Sequence, residues 1–263
     1  MSFEPETEVI ELESRLGRVG SIQAFDLWQG RESLDACYEQ VATIAGISHA
    51  NEHPKNPKGL FDHLVNAKPV MHGEPLESIP FIPGKLRYGG YESIRAASLR
   101  HNMSALGFTK SWSKEQVEVG RSLFPAHAYR IEMPQVIYIH WLRHGAFGKN
   151  VMSRRKVPDS KVPVRFYGEE WALDNDPVRH ILWNTQKIEY HRRLDRGEPL
   201  ELARTVFGTD QFMEFWSWGF DKDYELGSGF NLQRVADPHA MAEIRVFAQW
   251  IESYLSGKNS DAK

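Results

Sequence analysis

The sequence predicts an α+β domain. Three observations carry this: capped, amphipathic helical stretches recur from Ser33 to Leu255, strand-like pieces are few, and no repeat, low-complexity run or Gly/Ser/Pro-rich linker divides the chain. One interwoven domain over residues 1–263 is expected, with a helical insertion at about 82–123 and a small, polar, disordered C-terminal tail from Gly257 to Lys263.

Within Val9 to Trp28, short apolar pieces around Ile22 and Phe25 suit strands. After Ser33, Leu34, Cys37, Tyr38, Val41 and Ile44 recur at helical spacing. Asn56 before Pro57 is a cap with proline in the first turn, and Leu60, Phe61, Leu64 and Val65 give that helix one apolar face, ending near Lys68 and Pro69. Tyr91 to Leu106 is a further helical candidate. Ser113 with Gln116 makes a capping-box pattern ahead of Val117, Val119 and Phe124, which completes an inserted helical pair. His127 to Met133 reads as a strand, and Pro134 then opens an apolar helix through Val136, Ile137, Ile139 and Leu142. Asp176 and Pro177 begin a long helix with Ile181, Leu182, Thr185 and Ile188, closed by Gly197. Asp237 and Pro238 repeat the signal and start the last helix, whose stripe is Met241, Ile244, Ala248, Ile251 and Leu255.

At 263 residues and 41% hydrophobic, the chain can bury a sizeable core. A net charge of -3 argues against a general nucleic-acid coat, because binding to a phosphate backbone needs a basic surface, so any anion site must be local. The single cysteine, Cys37, excludes an internal disulfide framework and a multi-cysteine zinc site, and fits a reducing, cytoplasmic setting. Met1 to Glu13 is acidic and lacks the pattern of a secretory signal, and no run approaches the roughly 18 apolar residues of a spanning helix, so no membrane association is expected. His180, His191 and His239 show no zinc spacing, and no metal is expected. There is no G-x-S-x-G elbow, Walker-type phosphate loop or G-x-G-x-x-G run.

Four clusters could carry chemistry. Trp141 to Lys156 gathers Arg143, Arg154, Arg155, Lys149, Lys156, His144, Gly145 and Gly148 directly after an apolar helix. Guanidinium groups match phosphate with paired hydrogen bonds, Ser153 adds a hydroxyl, and glycines let backbone N–H groups approach an anion, so a monophosphate is the natural ligand. A solvated basic loop is the competing reading. Val70 to Glu77 places His72, Glu74 and Glu77 in a turn, as a cofactor contact or an ordinary polar turn. Arg196 to Arg204 puts Leu200, Ala203 and Arg204 on one helical face, where Arg204 meets either an anion or a structural carboxylate. Gly227 to Arg234 joins a glycine-bearing loop to an arginine and reads equally as a plain turn. The aromatic group Phe212, Phe215, Trp216, Trp218 and Phe220 suits a core or a subunit interface better than a ligand box.

In this order the four clusters resemble the flavin-dependent thymidylate synthases, over roughly Ser33 to Leu255. The family's histidine turn, H-x-[ST]-P-x-E-H, is matched by His72, Pro75 and Glu77. Its signature, R-H-R-x-x-S-x-N-E-x-S-x-R, is matched at Arg143, His144, Asn150, Ser153 and Arg155. The pattern G-x-P-x-E-x-A-R runs without a gap from Gly197 to Arg204, and the closing L-R-x-x-x-H-A-Q-x-E-I is matched at Leu232, Arg234, His239, Ala240, Glu243 and Ile244 with an extra residue on each side of the arginine. Departures are Glu74, Gly145, Gly148 and Val151, where the family has serine or threonine, arginine, serine and glutamate.

The resemblance implies helices packed on a mainly antiparallel sheet, a homotetramer with sites shared between subunits, and one-carbon transfer to C5 of a pyrimidine nucleoside monophosphate. FAD would be the cofactor, with methylenetetrahydrofolate and NADPH as co-substrates. It assigns His140, Arg143, Ser153, Arg155 and Arg204 to the nucleotide, with Arg154 beside them. Arg234 would face the base and stabilise charge developing on the ring. His72, Glu77, His144 and Asn150 would meet the flavin. The phosphate residues match better than the flavin residues, so nucleotide recognition is expected to be retained while the base, the sugar or the one-carbon product differs.

Overall fold

The structure, a computed structural model, describes residues 3–50, 54–66, 73–80, 112–143, 148–152, 157–222, 224 and 237–261. In chain order its elements are β1 (Ile10–Ser14), β2 (Gly17–Asp26), α1 (Leu34–Gly46), α2 (Pro57–Asn66), the single turn α3 (Gly73–Leu76), α4 (Lys114–Leu123), β3 (Ala126–Pro134), α5 (Gln135–Leu142), β4 (Gly148–Val151), α6 (Glu169–Asn175), α7 (Pro177–Asp195), the short α8 (Leu200–Ala203), β5 (Phe212–Phe220) and α9 (Ala242–Asp261). The described strands form one antiparallel sheet in the order β1-β2-β3-β5-β4, with helices on both faces.

Most helix starts follow from their caps. Ser33 Oγ accepts from Ala36 N at 3.0 Å, Asn56 Oδ1 from Gly59 N at 2.8 Å and Asp176 Oδ1 from Arg179 N at 3.1 Å, each satisfying an amide that the first turn leaves unpaired. Ser113 and Gln116 close a reciprocal capping box on α4. Gly197 ends α7 with φ +80°, a conformation that glycine reaches without a side-chain clash. The last helix differs from expectation. Asp237 Oδ1 accepts from His239 N at 2.8 Å and its carbonyl from Ala240 N at 3.2 Å, so it organises a separate turn, and α9 starts only at Ala242. That helix also continues through Gly257 to Asp261, past the point where composition suggests disorder. The helical candidate at 91–106, most of the insertion and the end of α2 near Lys68 lie outside the described residues.

Strand β5 lies inside the sheet, between β3 and β4, and explains the aromatic group: its side chains are shared between two cores. On one face Phe215 joins Tyr129 and Ile131 of β3, Ile137 and Trp141 of α5, and Ile244, Phe247, Ala248 and Ile251 of α9. On the other, Trp216, Trp218 and Phe220 join Phe25, Ala128, Ile44 of α1, Val117 of α4 and Trp28. A smaller core binds α1 to α2 through Cys37, Val41, Phe61 and Leu64.

A buried polar line crosses the first face. His127, 3% exposed, sits between two carboxylates: Nδ1 meets Asp221 Oδ1, and Nε2 lies 3.2 Å from Glu6 Oε2. Tyr254 of α9 donates to the same Glu6 oxygen at 2.6 Å. No described helix is long and apolar enough to cross a membrane. Helix α7 carries its apolar stripe outward, with Val178 78%, Ile181 63%, Leu182 55% and Ile188 68% exposed.

Candidate functional site

A cavity of about 640 Å³ opens on the second face of the sheet between the segment Phe3 to Pro5, α1 and strands β2, β3 and β5. Its floor is aromatic: Phe3 stacks on Phe25 at 5.0 Å between ring centroids, and Phe25 meets Trp216 edge-on at 4.8 Å. Thr43 and Ile47 form the α1 wall, and Lys161 and Val162 the wall opposite. Of its charged groups, Arg130 is paired with Glu214, whereas Glu39 and Lys161 make no ion pair among the described residues.

Strand β4 pairs with β5, whose Glu214 and Trp216 line this chamber. Asn150 is the register partner of Trp216, and Met152 continues the ladder by donating to Glu214 O at 2.9 Å. The basic segment at 153–156 therefore departs beside a chamber residue and resumes at Val157, which packs in the same core as Phe25 and Trp216. Ser153, Arg154 and Arg155 themselves lie outside the described residues, as do His72, His144 and Arg234. Half-buried Arg204 opens a 3-10 turn after α8 and lines a narrow cleft with Val157, Asp159 and Gln211. The fold thus brings Arg204 to the C-terminal anchor of the basic segment, a convergence that linear spacing does not reveal.

His140 and Arg143 are placed elsewhere. Gln135 N, at the start of α5, donates to Gln211 O at 2.9 Å, while Trp141 near its end donates to Ser217 Oγ at 3.1 Å. Half-buried His140 and exposed Arg143 lie at the other end of this eight-residue helix from Gln135, whose amide meets the Gln211 carbonyl.

Of the flavin set, Glu77 is 4% exposed in the turn after α3, which packs against α1 and β4. Buried Gln40 fixes that turn, donating to Ser78 O at 2.9 Å and accepting from Gly30 N at 3.0 Å. Asn150 Nδ2 donates to Ile44 O at 2.6 Å, holding the end of α1. Gly148 faces Trp218, and a Cβ there would lie 2.0 Å from indole atoms; the large ring occupies the space that the family's serine would need. Gly148 and Asn150 thus bind β4 to its own core.

Cys37 is 1% exposed, and burial pushes its thiol up to about 11, with Arg31 pulling weakly the other way. It is a core residue. Sequence reasoning did not single out Thr43 or Lys161 and did not connect Phe25 with Trp216, because these chamber residues lie on separate elements.

No protein-family model matches this chain, and no curated protein matches it in sequence. Among solved structures it is similar to the UMP/dUMP methylase PolB from Streptomyces cacaoi, a crystal structure with bound 5-Br dUMP, at 15% identity over 64% of this chain and 88% of that one, with a TM-score of 0.42.

Proposed function

We propose that this chain has a flavin-dependent thymidylate synthase-like fold and transfers one carbon, as methyl or hydroxymethyl, from methylenetetrahydrofolate to C5 of a pyrimidine nucleoside monophosphate such as dUMP or UMP. The observation that carries this reading is the chamber of about 640 Å³ over Phe25 and Trp216, the residues with which Met152 and Val157, on either side of the basic segment, share a core. Its volume falls within the roughly 300–1,000 Å³ of small-molecule sites. The aromatic floor suits a base, Lys161 on the wall can donate to a phosphate, and Ser153, Arg154 and Arg155 are the further donors this reading assigns to it. Arg234 would stabilise negative charge on the ring as C5 becomes nucleophilic. Cys37, buried and held as a thiol, supports a chemistry without attack by cysteine.

When bound, FAD would supply hydride, with NADPH as its reductant. His72, Glu77, His144 and Asn150 are the residues this reading assigns to it. The exposed stripe on α7 favours a homotetramer in which different copies complete each site.

Gly148 filled by Trp218, and Asn150 tied to Ile44, favour a second reading: a nucleotide-binding homologue without flavin chemistry. An absorbance spectrum of the purified protein separates the two, since bound flavin sinks the second. Calorimetry with dUMP, UMP and their cytidine counterparts then tests the substrate. Arg155→Ala is expected to weaken the best of these by about 1.5–3 kcal/mol through loss of a charge-assisted bond. A colourless protein that binds none of them sinks both readings.

A further inference from the structure

Helix α7 presents large apolar side chains on two faces. Inward, Trp183 stacks on Phe166 with ring centroids 5.4 Å apart and Tyr190 meets Phe207 at 5.0 Å, so this face is closed on the chain's own core. Outward, Val178, Ile181, Leu182 and Ile188 are each more than half exposed. A helix that borders solvent carries polar residues on its outer face, so one that is apolar on both sides is built to be covered on both. The outward residues are also spaced as a seam. Val178, Ile181, Thr185, Ile188 and Arg192 follow one another at steps of three, four, three and four, the repeat that keeps one stripe facing a neighbouring helix, and all five are exposed. Leu182 widens the stripe. Thr185, at its centre, donates its hydroxyl to Ile181 O at 2.8 Å, which leaves its methyl group for an apolar contact. From Val178 to Arg192 the seam is about 21 Å long.

The two ends of the seam carry opposite charge, and this identifies what covers it. Ahead of the helix stand exposed Glu170 and Asp174 and the capping Asp176. Arg179, at the same end, belongs to the inner face, with its guanidinium 5.1 Å from the centre of the Trp183 ring. At the C-terminal end Arg192, Arg193 and Arg196 all converge on the single carboxylate of Glu189, at 2.9, 3.2 and 3.5 Å. Even with Asp195 beside them, three guanidiniums face two carboxylates on the last turns and cap of α7, and Arg192 and Arg196 are exposed. Two copies of α7 laid antiparallel about a two-fold axis at Thr185 bring Ile181 of each against Ile188 of the other. The same arrangement sets the arginine end of each helix beside the acidic end of the other, whereas a parallel pair would set like charges side by side.

We propose that the outer stripe of α7 is a two-fold interface on which a second copy of this chain docks with its own α7 antiparallel. This names one contact of the homotetramer above; it rests on the assembly part of that reading and not on its chemistry. Light scattering on the full chain as it leaves a sizing column tests it. The parent is expected at two or four copies, and Ile181→Glu with Ile188→Glu, changes at exposed positions, should halve that mass by weakening association at least about 100-fold. Cross-linking with a short bis-maleimide tests the direction of the pair without relying on that variant. Thr185→Cys should link to its own counterpart and Val178→Cys should not, while a mixture of Val178→Cys and Arg192→Cys chains should give the linked pair; buried Cys37 should not react. A monomeric parent, a double variant of unchanged mass, or Val178→Cys linking to itself as readily as Thr185→Cys would each overturn the seam. A two-copy parent that the double variant turns into monomer keeps the seam and removes the tetramer, whereas a four-copy parent whose mass the variant leaves alone keeps the tetramer and removes the seam.

Discussion

On one face of the sheet, Ile244, Phe247, Ala248 and Ile251 of α9 are fully buried against β3 and β5; on the other, α1 and the segment from Phe3 to Pro5 leave a chamber of about 640 Å³ over Phe25 and Trp216. Both faces are paved with large apolar side chains, sealed under α9 on the first and open over Phe25 and Trp216 on the second. The sealed side contributes packing energy, and the open side keeps an aromatic surface and charged groups available to a ligand.

The sharpest way to break this comparison is Phe247→Ala. Deleting a fully buried phenylalanine should cost about 3–5 kcal/mol, measured by chemical denaturation, and leave nucleotide affinity unchanged in the folded fraction. A selective loss of affinity would erase the division of labour. Gly148→Ser probes the boundary at β4: with a Cβ set 2.0 Å from the Trp218 ring, overpacking should cost about 1–3 kcal/mol and lower Tm. A variant as stable as the parent would show that Trp218 can yield and that the serine site is recoverable. On the open side, Lys161→Ala should weaken dUMP binding by roughly 1 kcal/mol while stability stays within about 0.5 kcal/mol. If affinity holds, the phosphate lies away from that wall. Cys37 should show no effect: its pKa, raised by burial to about 11, keeps the thiol protonated at pH 8, so alkylation should be negligible in the folded protein and rapid after unfolding. Fast alkylation of native protein would mean that the α1–α2 core opens.

Helices were legible wherever a cap was local. Ser33, Asn56 with Pro57, Ser113 with Gln116, and Asp176 each announce within four residues a start that the structure keeps. Asp237 carried the same signal into a turn, because a carboxylate that caps a helix can equally organise a single bend. Strand β5 was hidden because both of its faces are buried, so Phe215, Trp216 and Trp218 show no polar alternation, and β4 is only four residues long. The basic segment and Arg204 stand out in the sequence as separate motifs, and their meeting through Val157 depends on the fold. The chamber has no linear trace at all, since its residues come from the N-terminal segment, three strands, α1 and the loop after β4.

The line from Glu6 through His127 to Asp221, with Tyr254 joining it from the last helix, also bears on how the molecule carries force. A pull on the segment before β1 is not spent in peeling back a loose end. It passes through Glu6 to the middle of the sheet and through Tyr254 to α9, loading the contacts in shear rather than one at a time, so segments from opposite ends of the polypeptide work as a single clamp across the sheet.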